Sequence, residues 1–162
     1  MEVEVHFLRL KMGKTVARNK KAYHDYEILE KFEAGMQLQG SEVKAIREGR
    51  VNLKDGFIKI VKNEAFLFNV HVSYFSTTNP HFKPDERRTR KLLLHKKQIR
   101  KLEENASQSG LSIVPLTIYF NDRNIAKVQI ALAKGKKLYD KRESLKKKEA
   151  DREAGRAMRD KY

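Results

Sequence analysis

Residues 113–132 read Ile113-Val114-Pro115-Leu116-Thr117-Ile118-Tyr119-Phe120, then Asn121-Asp122-Arg123-Asn124, then Ile125-Ala126-Lys127-Val128-Gln129-Ile130-Ala131-Leu132. Val114, Leu116, Ile118 and Phe120 are apolar and even-numbered, as are Ala126, Val128, Ile130 and Leu132. Period two sends alternate side chains to opposite faces, so each run reads as a strand with its even face inward. The four polar residues between them make a turn, and the pair becomes a hairpin. Lys127 and Gln129 then project from the solvent face.

The same alternation recurs upstream. Over Tyr26 to Leu38 the even positions Tyr26, Ile28, Phe32, Ala34, Met36 and Leu38 are inward candidates. Glu27, Lys31, Glu33 and Gln37 fall on the odd face, and Leu29 and Glu30 break the pattern. Ser41 to Glu48 reads as a short helix with Ser41 as N-cap and Gly49 just past its end. Phe57 to Val61 is an apolar run broken only by Lys59. Lys62-Asn63-Glu64 supplies a hairpin turn, and Phe66, Phe68, Val70 and Val72 alternate with Leu67, Asn69 and His71 as the returning strand. Thr77 to Asp85 is a polar loop. Lys91 to Leu94 has two readings. A helix through Leu92, Leu93 and Leu94 would spread them about 200° around its axis. The preferred alternative is an extended segment followed by a helix to about Asn105, with His95 as N-cap and Gln98 at N3. Ile99 and Leu102 share a face either way. Several antiparallel strands with a few short helices predict a mainly β fold: a small antiparallel β-barrel. Helices are too few for a layered α/β fold.

Composition narrows the partner. Lys and Arg number 36 against 21 Asp and Glu, a net charge of +15. Self-repulsion of that size is offset by a polyanion, and RNA is the leading candidate over an anionic membrane surface. No apolar run approaches the ~18 residues that span a bilayer. The first ten residues carry acids and lack an apolar core, so they are not expected to be a signal peptide. The chain has no Cys; disulfides, thiolate metal sites and thiol nucleophiles are excluded, and a cytoplasmic location fits. The five His residues, at 6, 24, 71, 81 and 95, lack ligand spacing, so neither metal nor cofactor is expected. Lys134-Gly135-Lys136-Lys137 resembles the end of a P-loop, but Ile130 stands where the upstream Gly belongs and no Ser or Thr follows the lysine. His24-Asp25 could be a base and its orienter, although sequence neighbours rarely face each other. With no paired-carboxylate or nucleophile constellation, the chain is expected not to be an enzyme.

Binding equipment remains. Asn19-Lys20-Lys21-Ala22-Tyr23-His24-Asp25-Tyr26 mixes phosphate-binding and base-stacking side chains. Tyr26 also suits a core aromatic, and Lys127 an ordinary solvated lysine. Glu33 on the outer face could accept from a base amino group or a guanine edge. Residues 134–162 hold 12 Lys or Arg and 6 Asp or Glu, a net of 12 − 6 = +6. Such a segment cannot bury enough apolar surface to fold alone. Wound as a helix, Lys134, Lys137, Lys141, Lys148, Arg152, Arg156 and Arg159 occupy a sector of about 100° with no acid in it. That segregation suits a latent helix along a phosphate backbone, and a disordered charged tail that aids solubility is the plainer alternative.

Taken in order, several blocks resemble the SsrA-binding protein family, also called small protein B. They are Asn19-Lys20-Lys21-Ala22 with His24-Asp25-Tyr26; Glu33-Ala34-Gly35; Leu38-Gln39-Gly40 with Glu42-Val43-Lys44; Arg47, Gly49 and Asn52-Leu53; Thr89-Arg90-Lys91-Leu92-Leu93-Leu94-His95; and Ala133-Lys134-Gly135-Lys136-Lys137 with Tyr139-Asp140-Lys141-Arg142. The likeness spans about Val16 to Tyr162. Residues before Met12 do not match it, and residues 1–15 are expected to lie outside the fold, 16–133 to form the barrel and 134–162 the tail. The resemblance implies an oligonucleotide-binding type of barrel. It implies binding to the tRNA-like domain of tmRNA, delivery to stalled ribosomes, and trans-translation. By similarity Asn19, Lys20, His24, Tyr26, Glu33, Leu93, His95 and Lys127 contact tmRNA; the family also uses Asn at the position of His95. By similarity Gly135, Lys136, Lys137, Asp140, Lys141 and Arg142 engage the ribosome. There the tail, disordered when free, would turn helical in the empty mRNA channel by the small-subunit decoding region. A monomer is expected, with neither DNA nor membrane as partner. A generic basic module for single-stranded or ribosomal RNA is the alternative, and an RNA-processing nuclease a third reading.

Overall fold

The computed structural model describes residues 14–108, 110–136, 142 and 145–153. The elements run β1 (Lys14–Arg18), α1 (Lys20–Asp25), β2 (Tyr26–Met36), α2 (Gly40–Arg47), β3 (Val51–Asn52), β4 (Phe57–Val61), β5 (Glu64–Phe68), β6 (His71–Val72), a 3-10 turn (Pro80–Phe82), β7 (Arg90–Leu93), α3 (Lys96–Ala106), β8 (Leu111–Phe120) and β9 (Ala126–Gly135). The main sheet has the order β1-β8-β4-β5-β7-β2-β9, and β8 also pairs with β9. That pairing closes β8, β4, β5, β7, β2 and β9 into an antiparallel ring compatible with the expected barrel. β1 lies against β8 outside the ring, and β3 and β6 form a small second sheet.

The predicted hairpin is β8–β9, with Phe120 opposite Ala126 and Ile113 opposite Leu132. Its inward face differs from the simple even-numbered reading. The register of β8 shifts between Pro115 and Thr117, and that of β2 between Ile28 and Glu30. A bulge adds one residue to one strand, and because side chains alternate, it exchanges that strand's faces. Ile118 and Phe120 therefore join Ile113 in the main core, with Val128, Ile130 and Leu132. Val114 and Leu116 turn instead to a satellite cluster with Ala22, Ala131 and Ala133. On β2, Phe32 and Ala34 face the main core while Tyr26 and Ile28 pack on the satellite. β9 has no bulge of its own, so both of its faces are covered at residues 130–133.

The β4–β5 turn is as expected, with Lys62 and Asn63 at φ 50° and 61°, the left-handed pair of a tight hairpin. The returning strand is shorter and its face is reversed. β5 buries Ala65 and Leu67 and leaves Phe66 and Phe68 partly exposed. Asn69 at φ 59° breaks the strand, after which Val70 and Val72 point inward. Lys91 to Leu94 follows the extended reading: β7 covers Arg90–Leu93, His95 is the N-cap of α3, and Gln98 Oε1 accepts from the His95 N–H at 3.2 Å. α2 begins one residue before the expected Ser41 cap. Its N-cap is Gln39, because Glu42 folds back to accept the Gln39 N–H at 3.0 Å. Gly49 follows at φ 75°, a conformation that costs a side chain-free residue nothing.

The strands at the two ends of the sheet reach past residues 16 and 133. β1 begins at Lys14, opposite Phe120. β9 runs on to Gly135, so Lys134 belongs to the sheet, opposite Glu27. Residues 142 and 145–153 are helical and all exposed. They carry Lys148 and Arg152.

Candidate nucleic-acid interface

Two groups of the expected residues assemble, one near each end of β2. The first is built on the outward odd face near Gly35. Gly35 is opposite Leu93 on β7 and Lys127 on β9. A Cβ at Gly35 would sit 3.3 Å from Leu93 Cβ and 3.6 Å from Lys127 Nζ; the glycine leaves a notch between an apolar side chain and a cation. Leu93 is 54% exposed, so an apolar side chain stands open beside the lysine. His95 lies two residues beyond, exposed at the start of α3. Glu33 stands on the same face as Gly35, two residues upstream.

Glu33 does not stand alone. The Tyr119 hydroxyl reaches across β9 and donates to Glu33 Oε2. Tyr119 is buried. Burial first, then the hydrogen bond to Glu33 and that residue's charge, hold its phenol well above the ordinary value. It remains a donor at any physiological pH and fixes the carboxylate. Sequence reading missed Tyr119. Its signal was an odd-numbered aromatic on the face that carries Thr117 in β8.

The second group surrounds α1. Asn19 is 3% exposed. Its Nδ2 donates to the carbonyls of Leu53 at 3.1 Å and Pro115 at 2.9 Å. Its Oδ1 accepts the Ala22 N–H at 3.1 Å, capping α1. Both amide hydrogens are used inside the protein, so Asn19 holds α1 in place rather than presenting a group to RNA. Lys20 is exposed, and His24 and Tyr26 are half-buried. Against expectation His24 and Asp25 do face each other, with Nδ1 2.9 Å from Asp25 Oδ1. Tyr23 has the Arg18 guanidinium 5.0 Å and the Lys31 ammonium 6.0 Å from its ring centroid. Lys136 closes the group: its N–H donates to the Asp25 carbonyl at 2.9 Å and its Nζ to the Tyr23 carbonyl at 3.4 Å. Tyr26 is opposite Gly135. The structure therefore joins His24 and Tyr26 to Gly135 and Lys136, which sequence reading had assigned to two different partners. Arg142 is helical and exposed; Lys137, Asp140 and Lys141 lie outside the described residues.

The nine steps of chain from Tyr26 to Gly35 separate the two groups by about 30 Å of strand. Among the described residues, no cluster of His, Asp and Glu could hold a metal ion, and no helix is long and apolar enough to cross a membrane.

The double role of Glu33 gives a graded prediction. Glu33→Gln keeps an acceptor for Tyr119, so it melts close to the parent and weakens RNA binding only because a neutral amide is a poorer acceptor for a base edge than a carboxylate. Glu33→Arg removes the acceptor as well. An unpaired buried hydroxyl costs about 1–3 kcal/mol, so this variant loses stability along with binding. Thermal melts and RNA titrations on both variants separate the two effects. Parent-like binding by Glu33→Gln would remove Glu33 from the interface.

A family model described as SmpB protein matches residues 16–160. An SsrA-binding protein of Nitratiruptor sp. is 65% identical over 147 residues, 91% of this chain and 98% of that protein. Another, of Wolinella succinogenes, is 64% identical over 147 residues, with 91% and 97% covered. The fold is similar to a solved structure described as tmRNA-SmpB, a journey to the center of the bacterial ribosome. There the TM-score is 0.65 and the identity 45%, covering 75% of this chain and 85% of that one.

Proposed function

The chain belongs to the SmpB protein family, and from that premise we propose that it binds the tRNA-like domain of tmRNA and delivers it to stalled ribosomes for trans-translation. The observation that carries this reading is the notch at Gly35. An exposed leucine, a lysine and a carboxylate fixed by a buried tyrosine converge there from β7, β9 and β2. A generic phosphate-coating surface has no use for an exposed leucine or a positioned acceptor. A surface that reads the shape and base edges of one folded RNA does. The protein acts as a binding and delivery factor, not as an enzyme, and its work lies in the cytoplasm with the ribosome.

Glu33, Leu93, His95 and Lys127 form one contact of the tRNA-like domain, and Lys20, His24 and Tyr26 a second. Gly135 and Lys136 lie against the second contact, where the tail leaves the body. Lys137, Asp140, Lys141 and Arg142 then engage the decoding region and the empty mRNA channel. This reading places the hand-over from tmRNA to ribosome at α1.

Binding of the full chain to the tRNA-like domain and to an unrelated RNA of equal length, across a fourfold salt range, tests the reading. Both affinities fall log-linearly with salt, by about 0.7–0.9 per phosphate neutralised. The tRNA-like domain keeps its advantage at high salt, because shape and base contacts are not screened in the same way. Equal affinities throughout would favour the generic RNA module.

A further inference from the structure

A third set of cations lies outside both groups. On α2 and just past it, Lys44, Arg47 and Arg50 are exposed, as is Arg123 in the β8–β9 turn. Arg47 stacks over Phe120, its guanidinium carbon 4.5 Å from the ring centroid, and its Nη1 donates to Asn124 Oδ1 at 2.7 Å. Arg50 lies 4.2 Å and Lys44 5.4 Å from the Phe75 centroid. Among the described residues none of these four cations forms an ion pair. Set against Glu48 and Asp122, the exposed acids on the same elements, the balance of exposed charge is 4 − 2 = +2.

An ordinary solvated basic face leaves its long side chains free to rotate. Here two aromatic rings and one amide hold Lys44, Arg47 and Arg50, so for these three less rotamer entropy remains to be lost on binding. A guanidinium stacked on a ring still turns its N–H edge outward, in the geometry that suits a phosphate. The cluster also adjoins the notch at Gly35. Asn124, which holds Arg47, is three residues before Lys127, so at most about 10 Å of chain separates them. Phe120, under Arg47, is opposite Ala126.

We propose that α2 and the β8–β9 turn carry the phosphate backbone of the same RNA that Glu33, Leu93 and Lys127 hold, the strand passing from Lys127 over the end of the ring. The proposal rests on the function proposed above. Ribosomal RNA is the rival polyanion, and adjacency to Lys127 is what favours tmRNA.

The test titrates the full chain with a transcript of the tRNA-like domain and with the control RNA at several salt concentrations, alongside a thermal melt. Lys44→Gln/Arg47→Gln/Arg50→Gln is expected to lower the slope of log affinity against log salt by about 2–3, and to weaken binding at low salt about tenfold or more. Should that variant not fold, Lys44→Gln/Arg123→Gln removes only side chains that hold no hydrogen bond among the described residues. It is expected to lower the slope by about 1–2. A folded variant with the parent's slope overturns the proposal. So does one that keeps its affinity for the tRNA-like domain but loses ribosome association, which would give this surface to ribosomal RNA. If the parent shows no preference for the tRNA-like domain, the premise fails, and this proposal with it. A specific parent with an unchanged variant sinks this proposal alone.

Discussion

A chain ending at Leu138 is expected to bind the tRNA-like domain with only a modest loss and to support no tagging on stalled ribosomes. The body is complete before the cut. β9 ends at Gly135, opposite Tyr26, and Lys136 fastens the chain to α1 through the Asp25 and Tyr23 carbonyls. Residues 142 and 145–153, the described part of what is removed, are all exposed, so among the described residues no core side chain is lost. The deletion takes nine Lys or Arg and six Asp or Glu, a net of 9 − 6 = +3 out of +15. Nonspecific attraction to RNA falls accordingly, while the residues at the notch and around α1 stay. Tagging fails because the segment that would enter the mRNA channel is gone. Asp140→Ala/Lys141→Ala/Arg142→Ala should reproduce the tagging defect with a net loss of only one charge. A tagging assay beside an RNA-binding titration reads both halves. Parent-level tagging by the truncated chain would end the division of labour between body and tail.

The outline of the fold was legible because a strand's alternation depends only on local sequence. The β8–β9 hairpin, the Lys62-Asn63 turn and the His95 cap all follow from residues within a few positions of each other. What alternation cannot carry is a bulge. Leu116 fits the even-numbered apolar pattern, so nothing there announces a bulge; at Leu29 and Glu30 the alternation does break, but a break alone does not say that the strand gains a residue and exchanges its faces. Phe66 and Phe68 misled for a related reason. They are larger than Ala65 and Leu67, yet the tight turn at residues 62–63 sets the register, and that register sends the smaller pair inward. At the interface, Leu93, Lys127 and Glu33 could be singled out on their own strands, but their meeting at Gly35 depends on pairing between strands distant in sequence. Asn19 shows the reverse case. Its position before a basic, aromatic run suggested RNA contact, whereas an N-cap reading of the same Asn would have found its role. The Tyr119–Glu33 bond joins residues 86 apart, and no local pattern could supply it.

The same long reach hides the feature whose removal should cost the body most. Glu42 and Arg90 are fully buried, at 0% and 1% exposure, though each is a charged residue in an unremarkable local setting. Glu42 Oε2 accepts from Arg90 Nε at 2.5 Å. Its Oε1 accepts from Arg88 Nη2 at 2.6 Å and from the Gln39 N–H at 3.0 Å. Arg90 goes on to donate to the carbonyls of Val70 at 2.8 Å and Glu86 at 3.2 Å. The network ties α2 to β7 and to the loop around residue 86. Burial alone would raise the Glu42 pKa, but the hydrogen bonds from Arg88, Gln39 and Arg90, together with the charge of Arg90, bring it below the ordinary 4.5. Two consequences follow. Glu42→Ala strands a buried guanidinium, a change that costs about 3–5 kcal/mol. For a domain of this size that lowers the melting temperature by about 6–20 °C. Because the folded pKa is depressed, the stabilisation from Glu42 is complete above the unfolded value and is lost as the pH falls through the folded one. The parent should therefore lose more stability than Glu42→Ala on acidification below about pH 4.5, where the variant has no such carboxylate to protonate. Glu42→Ala/Arg90→Met should recover part of the loss seen in Glu42→Ala, since the stranded charge leaves with its partner. Melts of the parent and both variants at neutral and acid pH measure all three. Equal acid sensitivity in parent and Glu42→Ala, with no recovery in the double variant, would mean that shape rather than charge pairing makes this network.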